Sequence, residues 1–397
     1  IKKEYIMKDL IILVGTNPLP CYISARYLWD NKDNKEVGDI YLIGSEENPS
    51  IQQYGTIDVA KRLRIKLAKD LSINQEKIKI LKIDDVRCID NIVKEINKIN
   101  EEHEILLNFT GGTKTMDAFF YNECEKKWKD RFSSSYLDAR TNQMIINGHI
   151  ANDKDLRQIY DVTLHDLAYL HKKEVNNSEP NKIFNKALKV FDDYMNDKQK
   201  LNLWISKDQG YNSQIFKDDK GNFIKELKEE QYEILNRSIV KPVWDAISSL
   251  DVKLKDKLVF LEGVWLEYWL FEFLNQDNNG IKYYFDIKPP EGLPEFQIDI
   301  CAIYGYQLTV ISITTAKNKG MVKLKAFEAM YRAKQLGGDE TKIIQISLLN
   351  EGNNNGLVHD IEIDTGSLVS KFLCLGLEDI TQDKNELRKI ITEYIKK

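Results

Sequence analysis

Ile105-Leu106-Leu107-Asn108-Phe109-Thr110-Gly111-Gly112-Thr113-Lys114-Thr115-Met116 is the stretch on which the fold turns. Its leading apolar residues suit a buried parallel strand, and from Lys114 through Ala118-Phe119-Phe120 the chain continues as a helix. Between them, Gly111 and Gly112 allow a tight turn and a close approach to a ligand, which a β-carbon would hinder. Thr110 and Thr113 offer hydroxyls and Lys114 adds a positive charge. The first N–H groups of the helix point outward at its positive dipole end. Such a junction can hold phosphate. It departs from the Walker pattern, because Thr113 rather than glycine precedes Lys114, so nucleotide hydrolysis is disfavoured. The plainer alternative is a βα-loop whose polar residues only cap a helix.

Upstream, apolar runs at 10–14, 40–43 and 78–83 alternate with helical patterns at 22–28, 57–71 and 89–99. Continuous apolar strands between amphipathic helices mean a parallel sheet covered on both faces. Right-handed crossovers then bring the C-terminal strand ends to one edge, where ligands of such folds bind. Thr16, Asn17, Ser45 and residues 110–114 all fall at that edge. Ordinary capping and turn chemistry is the alternative for Thr16, Asn17 and Ser45 taken singly. Runs at 133–137 and 144–146 read as a closing β-hairpin.

The chain of 397 residues has room for two or three domains, and 42% hydrophobic with 30% charged residues is a globular composition. A net charge of −5 argues against a uniformly basic coat but allows a local basic patch. The five scattered cysteines include no Cys-x-x-Cys, and the five histidines no His-x₃-His, so zinc is disfavoured and a reducing, cytoplasmic compartment expected. No apolar run reaches the roughly 18–20 residues that span a bilayer, so no membrane association is expected. Residues 1–8 are charged and lack the apolar core of a signal peptide.

From 151 to 250 the pattern becomes helical, with patterns at 164–170 and 183–194 and polar breakers at 174–180 and 217–222 that read as surface loops. A strongly apolar helix follows at 256–274. Strand-like runs come at 282–287, 296–303 and 308–313, then a basic helix at 319–336 and a strand at 343–346. Glu267 lies inside the apolar helix and Asp299 inside an apolar strand, where a carboxylate is costly unless paired or metal-bound. Two converging carboxylates suit Mg²⁺ or Mn²⁺; pairing with lysines or exposure to solvent is the alternative. Lys317, Lys319, Lys323, Lys325, Arg332 and Lys334 stand against the single acid Glu328, a positive surface fit for a phosphate backbone. An amphipathic helix at 387–395 ends the chain.

Asn108-x-Thr110-Gly111-Gly112-Thr113-Lys114-x-Met116 resembles the CARF domain of type III CRISPR ancillary effectors. Gly263-x-Trp265-Leu266-Glu267, the strand around Asp299, Lys323-Leu324 and Gly337-Gly338-Asp339 look like the nuclease half of CARF-fused ancillary nucleases. The resemblance covers about 8–150 and 255–350. It implies an α/β chain with a Rossmann-like CARF domain (1–155), a helical connector (156–250) and a restriction-endonuclease-like PD-(D/E)xK domain (251–397). It further implies a homodimer that clasps a cyclic oligoadenylate, cyclic tetra-adenylate foremost, through Thr16, Asn17, Ser45, Asn108, 110–114 and Met116. The binding event would switch on cleavage of DNA, RNA or both. The family's Glu-x-Lys, however, is replaced here by Ser312-Ile313-Thr314. One reading moves the lysine to Lys317, Lys323 or Lys325, with Lys323 first, and holds the metal by Glu267, Asp299 and a backbone carbonyl near Ile313. Two others stay open: a nucleic-acid-binding protein with an inactive nuclease domain, and a ring nuclease that degrades the messenger.

Overall fold

A computed structural model describes residues 7–31, 37–276, 279–294, 296–366 and 371–397, so most of the charged start at 1–8 lies outside the described residues. The chain divides into two compact units: Ile1–Glu174 with Gly305–Gln307 and Gln335–Glu340, and Val175–Tyr304 with Leu308–Lys334 and Thr341–Lys397.

The first unit runs β1 (Lys8–Leu13), α1 (Pro18–Asp30), β2 (Val37–Ser45), α2 (Ile57–Asp70), β3 (Ile78–Ile83), α3 (Ile89–Ile96), β4 (Glu104–Asn108) and α4 (Lys114–Trp128). β5 (Phe132–Asp138), β6 (Gln143–Ile146), β7 (His149–Ile150) and α5 (Leu164–Leu170) complete it. The sheet order is β3-β2-β1-β4-β5-β6-β7, parallel from β3 to β5 and antiparallel through the expected hairpin. Leu10 to Leu13 are almost wholly buried, as a central strand covered on both faces requires. Strand order reverses between β1 and β4, so the loops after these two strands flank the switch point where open α/β sheets bind ligands.

Those two loops touch backbone to backbone. A Cβ on Gly15 would strike the Gly111 carbonyl oxygen, and one on Gly111 would strike Cys21 Sγ and lie 2.6 Å from the Leu13 carbonyl oxygen. The glycine requirement at 111 therefore comes from loop packing within the protein, not from room for a ligand.

The second unit opens with β8 (Asn176–Ser178), a short edge strand, which corrects the reading of 174–180 as a surface loop: Asn176 pairs with Lys288 and Ser178 with Phe285 of the strand at 281–288. Next come α6 (Asn185–Met195), α7 (Lys198–Trp204), α8 (Glu229–Leu235), α9 (Lys241–Ser248), α10 (Leu254–Val259) and α11 (Trp265–Leu274). β9 (Ile281–Lys288), β10 (Ile298–Tyr304), β11 (Gln307–Thr314), α12 (Lys319–Gly337) and β12 (Lys342–Ser347) follow in the expected order. α13 (Glu351–Thr365), β13 (Phe372–Leu375), α14 (Leu377–Ile380) and α15 (Lys384–Lys396) end the chain. The sheet is β13-β12-β11-β10-β9-β8, antiparallel from β8 to β10 and parallel from β11 to β13.

Aromatic residues of α6 and α7 share one core with α11: Phe191 stacks on Trp265 with centroids 4.1 Å apart, and Trp204 meets Phe191 edge-on. Between α10 and α11 the helix makes one π-turn, Phe260–Val264, so the single helix expected over 256–274 is interrupted. Thr315, just beyond β11, donates its hydroxyl to the Glu262 carbonyl at 2.9 Å in that turn. A Cβ on Gly263 would come within 3.2 Å of Thr315 Oγ1. Such turns often mark functional sites, and this one immediately precedes Glu267. Among the described residues no helix is long and apolar enough to cross a membrane.

Gly111→Ala should destabilise the first unit by about 1–3 kcal/mol, the usual cost of overpacking. Thermal melting checks this; an unchanged melting temperature would mean that the loops part without cost.

Candidate functional site

At the switch point of the first sheet, the motif residues divide into those that build the loop and those that face solvent. Asn108 is fully buried: its Oδ1 accepts from Thr110 N–H (3.3 Å) and its Nδ2 donates to Ser135 Oγ (3.2 Å). Thr110 Oγ1 accepts from Leu137 N–H at 2.8 Å, tying the loop to β5. Met116 is 1% exposed and belongs to the core under α4. Thr113 caps α4, accepting from Met116 N–H at 3.3 Å. Thr16, Thr113, Lys114 and Thr115 are exposed, Asn17, Gly111 and Gly112 half-buried.

Three expected ligand contacts therefore need correction. Asn108 and Met116 are structural, because their side chains point into the protein. Ser45 is also buried, and its hydroxyl donates to the Tyr54 carbonyl at 2.8 Å. The motif signals loop architecture as strongly as it signals a ligand.

Asn17 caps α1, its Oδ1 accepting from Leu19 N–H at 3.2 Å, and faces His171 Nε2 at 3.3 Å. His171, at the end of α5, escaped notice in the sequence because no local pattern links it to Asn17. Burial lowers its pKa, so the ring is held neutral. Asp117, in the first turn of α4, was missed as well. Burial pushes its carboxyl up to about 6, and among the described residues one of its oxygens has no partner.

In the second unit, Glu267 and Asp299 do come within each other's electrostatic reach. Burial raises the Glu267 carboxyl above the ordinary carboxylate range, and the charges of Asp299 and Asp286 raise it further, against Lys288 and Lys325. Burial also raises Asp299, while Ile313 N–H and Lys325 oppose the rise. Ile313 meets Asp299 through its backbone: its N–H donates to Asp299 Oδ2 at 2.7 Å. Asp286, on β9, takes a left-handed φ of 51° and is held by Ser178 (3.0 Å), Gln297 (2.9 Å) and Lys288 (2.8 Å).

The lysines sort themselves by direction. Lys323, first choice from the sequence, turns to α13 and pairs with Asp364 at 2.7 Å. Lys319 pairs with Asp360 at 2.9 Å, so α13 supplies acids that the local sequence count could not include. Lys317 donates to the Ile205 carbonyl. Lys325 instead lines a pocket with Gln297, Asp299, Ser312 and Glu328. Thr314 is half-buried, and its Oγ1 accepts from Ala316 N–H at 3.2 Å.

A divalent cation suits this donor chemistry, since two half-buried carboxylates of like charge are stabilised by a positive ion between them. Among the described residues no three His, Cys, Asp or Glu side chains gather into a closed cage. Two carboxylates would leave the other coordination positions of a Mg²⁺ ion to water or substrate, as that ion commonly takes.

No family model matches the chain, and no curated protein matches it. Solved structures do. Protein VC1899 from Vibrio cholerae aligns with a TM-score of 0.68 at 13% identity, over 98% of this chain and 98% of that one. Can2 from Sulfobacillus thermosulfidooxidans, solved in complex with cyclic tetra-adenylate, aligns with a TM-score of 0.61 at 13% identity over 98% and 99%. A type III CRISPR defence DNA nuclease activated by cyclic oligoadenylate gives 0.48 at 13% identity over 86% of this chain and 45% of its own. The likeness to VC1899 and Can2 is one of fold and spans 98% of this chain: the two-sheet α/β architecture is shared with both.

Because folding raises the Glu267 and Asp299 pKa values, their neutral forms are favoured in the folded state. Without divalent cation, the contribution of these two carboxylates to stability should be fully present below their unfolded range of about pH 4 and be lost as pH rises to the folded values of about 6 and about 8. Glu267→Gln should flatten that fall and raise the melting temperature at pH 8. A variant with the wild-type slope would contradict the assignment.

Proposed function

We propose that the chain is a nuclease of type III CRISPR defence, switched on by a cyclic oligoadenylate, with cyclic tetra-adenylate the first choice. Supporting the sensor half are the solvent-facing Thr16, Thr113 and Lys114 at a helix N-terminus on the switch point, where an anion is favoured. The fold shared with Can2 supports the same ligand class. In this reading the protein is cytoplasmic and works as a homodimer, with 1–155 as sensor, 156–250 as connector and 251–397 as nuclease domain.

The observation that carries the nuclease reading is the approach of two half-buried carboxylates, Glu267 and Asp299, with Asp299 lining a pocket together with Lys325. Glu267 and Asp299 would hold Mg²⁺ or Mn²⁺, which when bound would supply positive charge and a more acidic water. Ile313 N–H fixes one Asp299 oxygen and so orients the other. Lys325 places an ammonium where the departing charge develops. No base-reading motif accompanies it, so DNA or RNA would be cut with little sequence preference. Activation is allosteric if the cyclic nucleotide binds the active arrangement more tightly than the idle one.

Ser312 and Thr314 favour the second reading, a ligand-gated nucleic-acid-binding protein without cleavage. Salt-sensitive DNA binding with no divalent-dependent products would establish it.

Two variants test the two halves separately. Asp299→Ala should abolish cleavage and leave cyclic tetra-adenylate binding unchanged in calorimetry. Lys114→Ala should leave full cleavage at saturating activator but raise the half-activating concentration about tenfold, the worth of one charge-assisted contact. Cleavage by Asp299→Ala at the wild-type rate would overturn the site.

A further inference from the structure

β11 leaves a chemical gap. Ser312 and Thr314 alternate with Ile313 on the strand and so share one face, where the resemblance puts an acid and an ammonium. Neither carries a charge. The pocket that Ser312 lines with Asp299 is closed from α12 by Lys325 and Glu328. These two are three residues apart, hence on one helix face, and Lys325 Nζ lies 3.3 Å from Glu328 Oε2. Both are exposed at the pocket rim, with side chains 59% and 47% accessible.

The other lysines of α12 do not compete for this place. Lys319 and Lys323 are drawn to Asp360 and Asp364 of α13, which anchors the N-terminal turns of α12. The face carrying Lys325 and Glu328 is left toward Asp299. Glu328 sits at the rim of this pocket and its carboxylate is engaged by the Lys325 ammonium.

We infer that α12 supplies, at helical spacing, the acid–ammonium pair that β11 lacks: Glu328 is a positioning residue that aims Lys325 at the phosphate beside Asp299 and orders the water there. The inference rests on the nuclease reading above and extends it to a residue that the motif does not contain. It accounts for the loss of Glu-x-Lys without the loss of the activity, because the charges are relocated to a neighbouring element.

The test uses the full chain with supercoiled plasmid and labelled single-stranded RNA, cyclic tetra-adenylate and Mg²⁺ or Mn²⁺. Glu328→Gln should lower kcat at least about tenfold with KM within about twofold, and Glu328→Asp should recover part of the loss. Both should melt at the wild-type temperature, since the side chain is at the rim. In the double variant Lys325→Gln/Glu328→Gln, adding Ser312→Glu and Thr314→Lys should restore cleavage by at least about tenfold. Wild-type kcat in Glu328→Gln would overturn the inference and spare the nuclease reading. A folded fourfold variant that stays inactive would also count against it. A wild-type chain that cuts neither nucleic acid would overturn both.

Discussion

Two half-buried carboxylates, Glu267 and Asp299, stand within each other's field, on a helix and a strand that the core of the second unit holds in place. Charge of one sign in a desolvated place is an unfavourable arrangement that folding alone would not select. Here the framework imposes it: Trp265 and Leu266 anchor α11 in an aromatic core, and neighbours of Asp299 on β10 are buried. The π-turn and the Thr315 hydroxyl fix the helix just before Glu267. A cation between them would relieve strain of this kind, and that is the physical ground for reading the pair as a site.

The first unit solves a different problem, which is to bring two loops close enough to make one edge. Gly15 and Gly111 meet where a β-carbon on either would collide with the other loop. Asn108 and Thr110 then fasten the second loop to β5. With the interior of the junction settled by these contacts, Thr113 and Lys114 remain outward at the start of α4. A rigid loop over a helix N-terminus is preorganised for an anion, because little must be reordered on binding.

Much of this architecture was legible in the sequence, since parallel strands buried on both faces announce themselves as apolar runs and their order follows from crossover rules. The sites were legible less evenly. Glu267 and Asp299 stood out because a carboxylate in an apolar element is anomalous wherever it is seen. Asn108 and Met116 could not be told from ligand contacts, because a motif states residue types and not which way they point. Lys323 was misdirected for a related reason: its partner Asp364 is on α13, a helix that the sequence reading did not identify. Short β8 was hidden because three polar residues at a sheet edge look like a loop. Long-range pairing decided each of these cases, and a local window does not contain it.

The most direct test of a switched nuclease is a fourfold incubation of the purified chain with supercoiled plasmid and labelled single-stranded RNA. Activator and divalent cation are each present or omitted, with cyclic tetra-adenylate as the activator. The account predicts cleavage only when both are present, and the nucleic acid that is cut names the substrate class. Binding of the activator, seen as a raised melting temperature, with neither nucleic acid cleaved in Mg²⁺ or Mn²⁺ would contradict it.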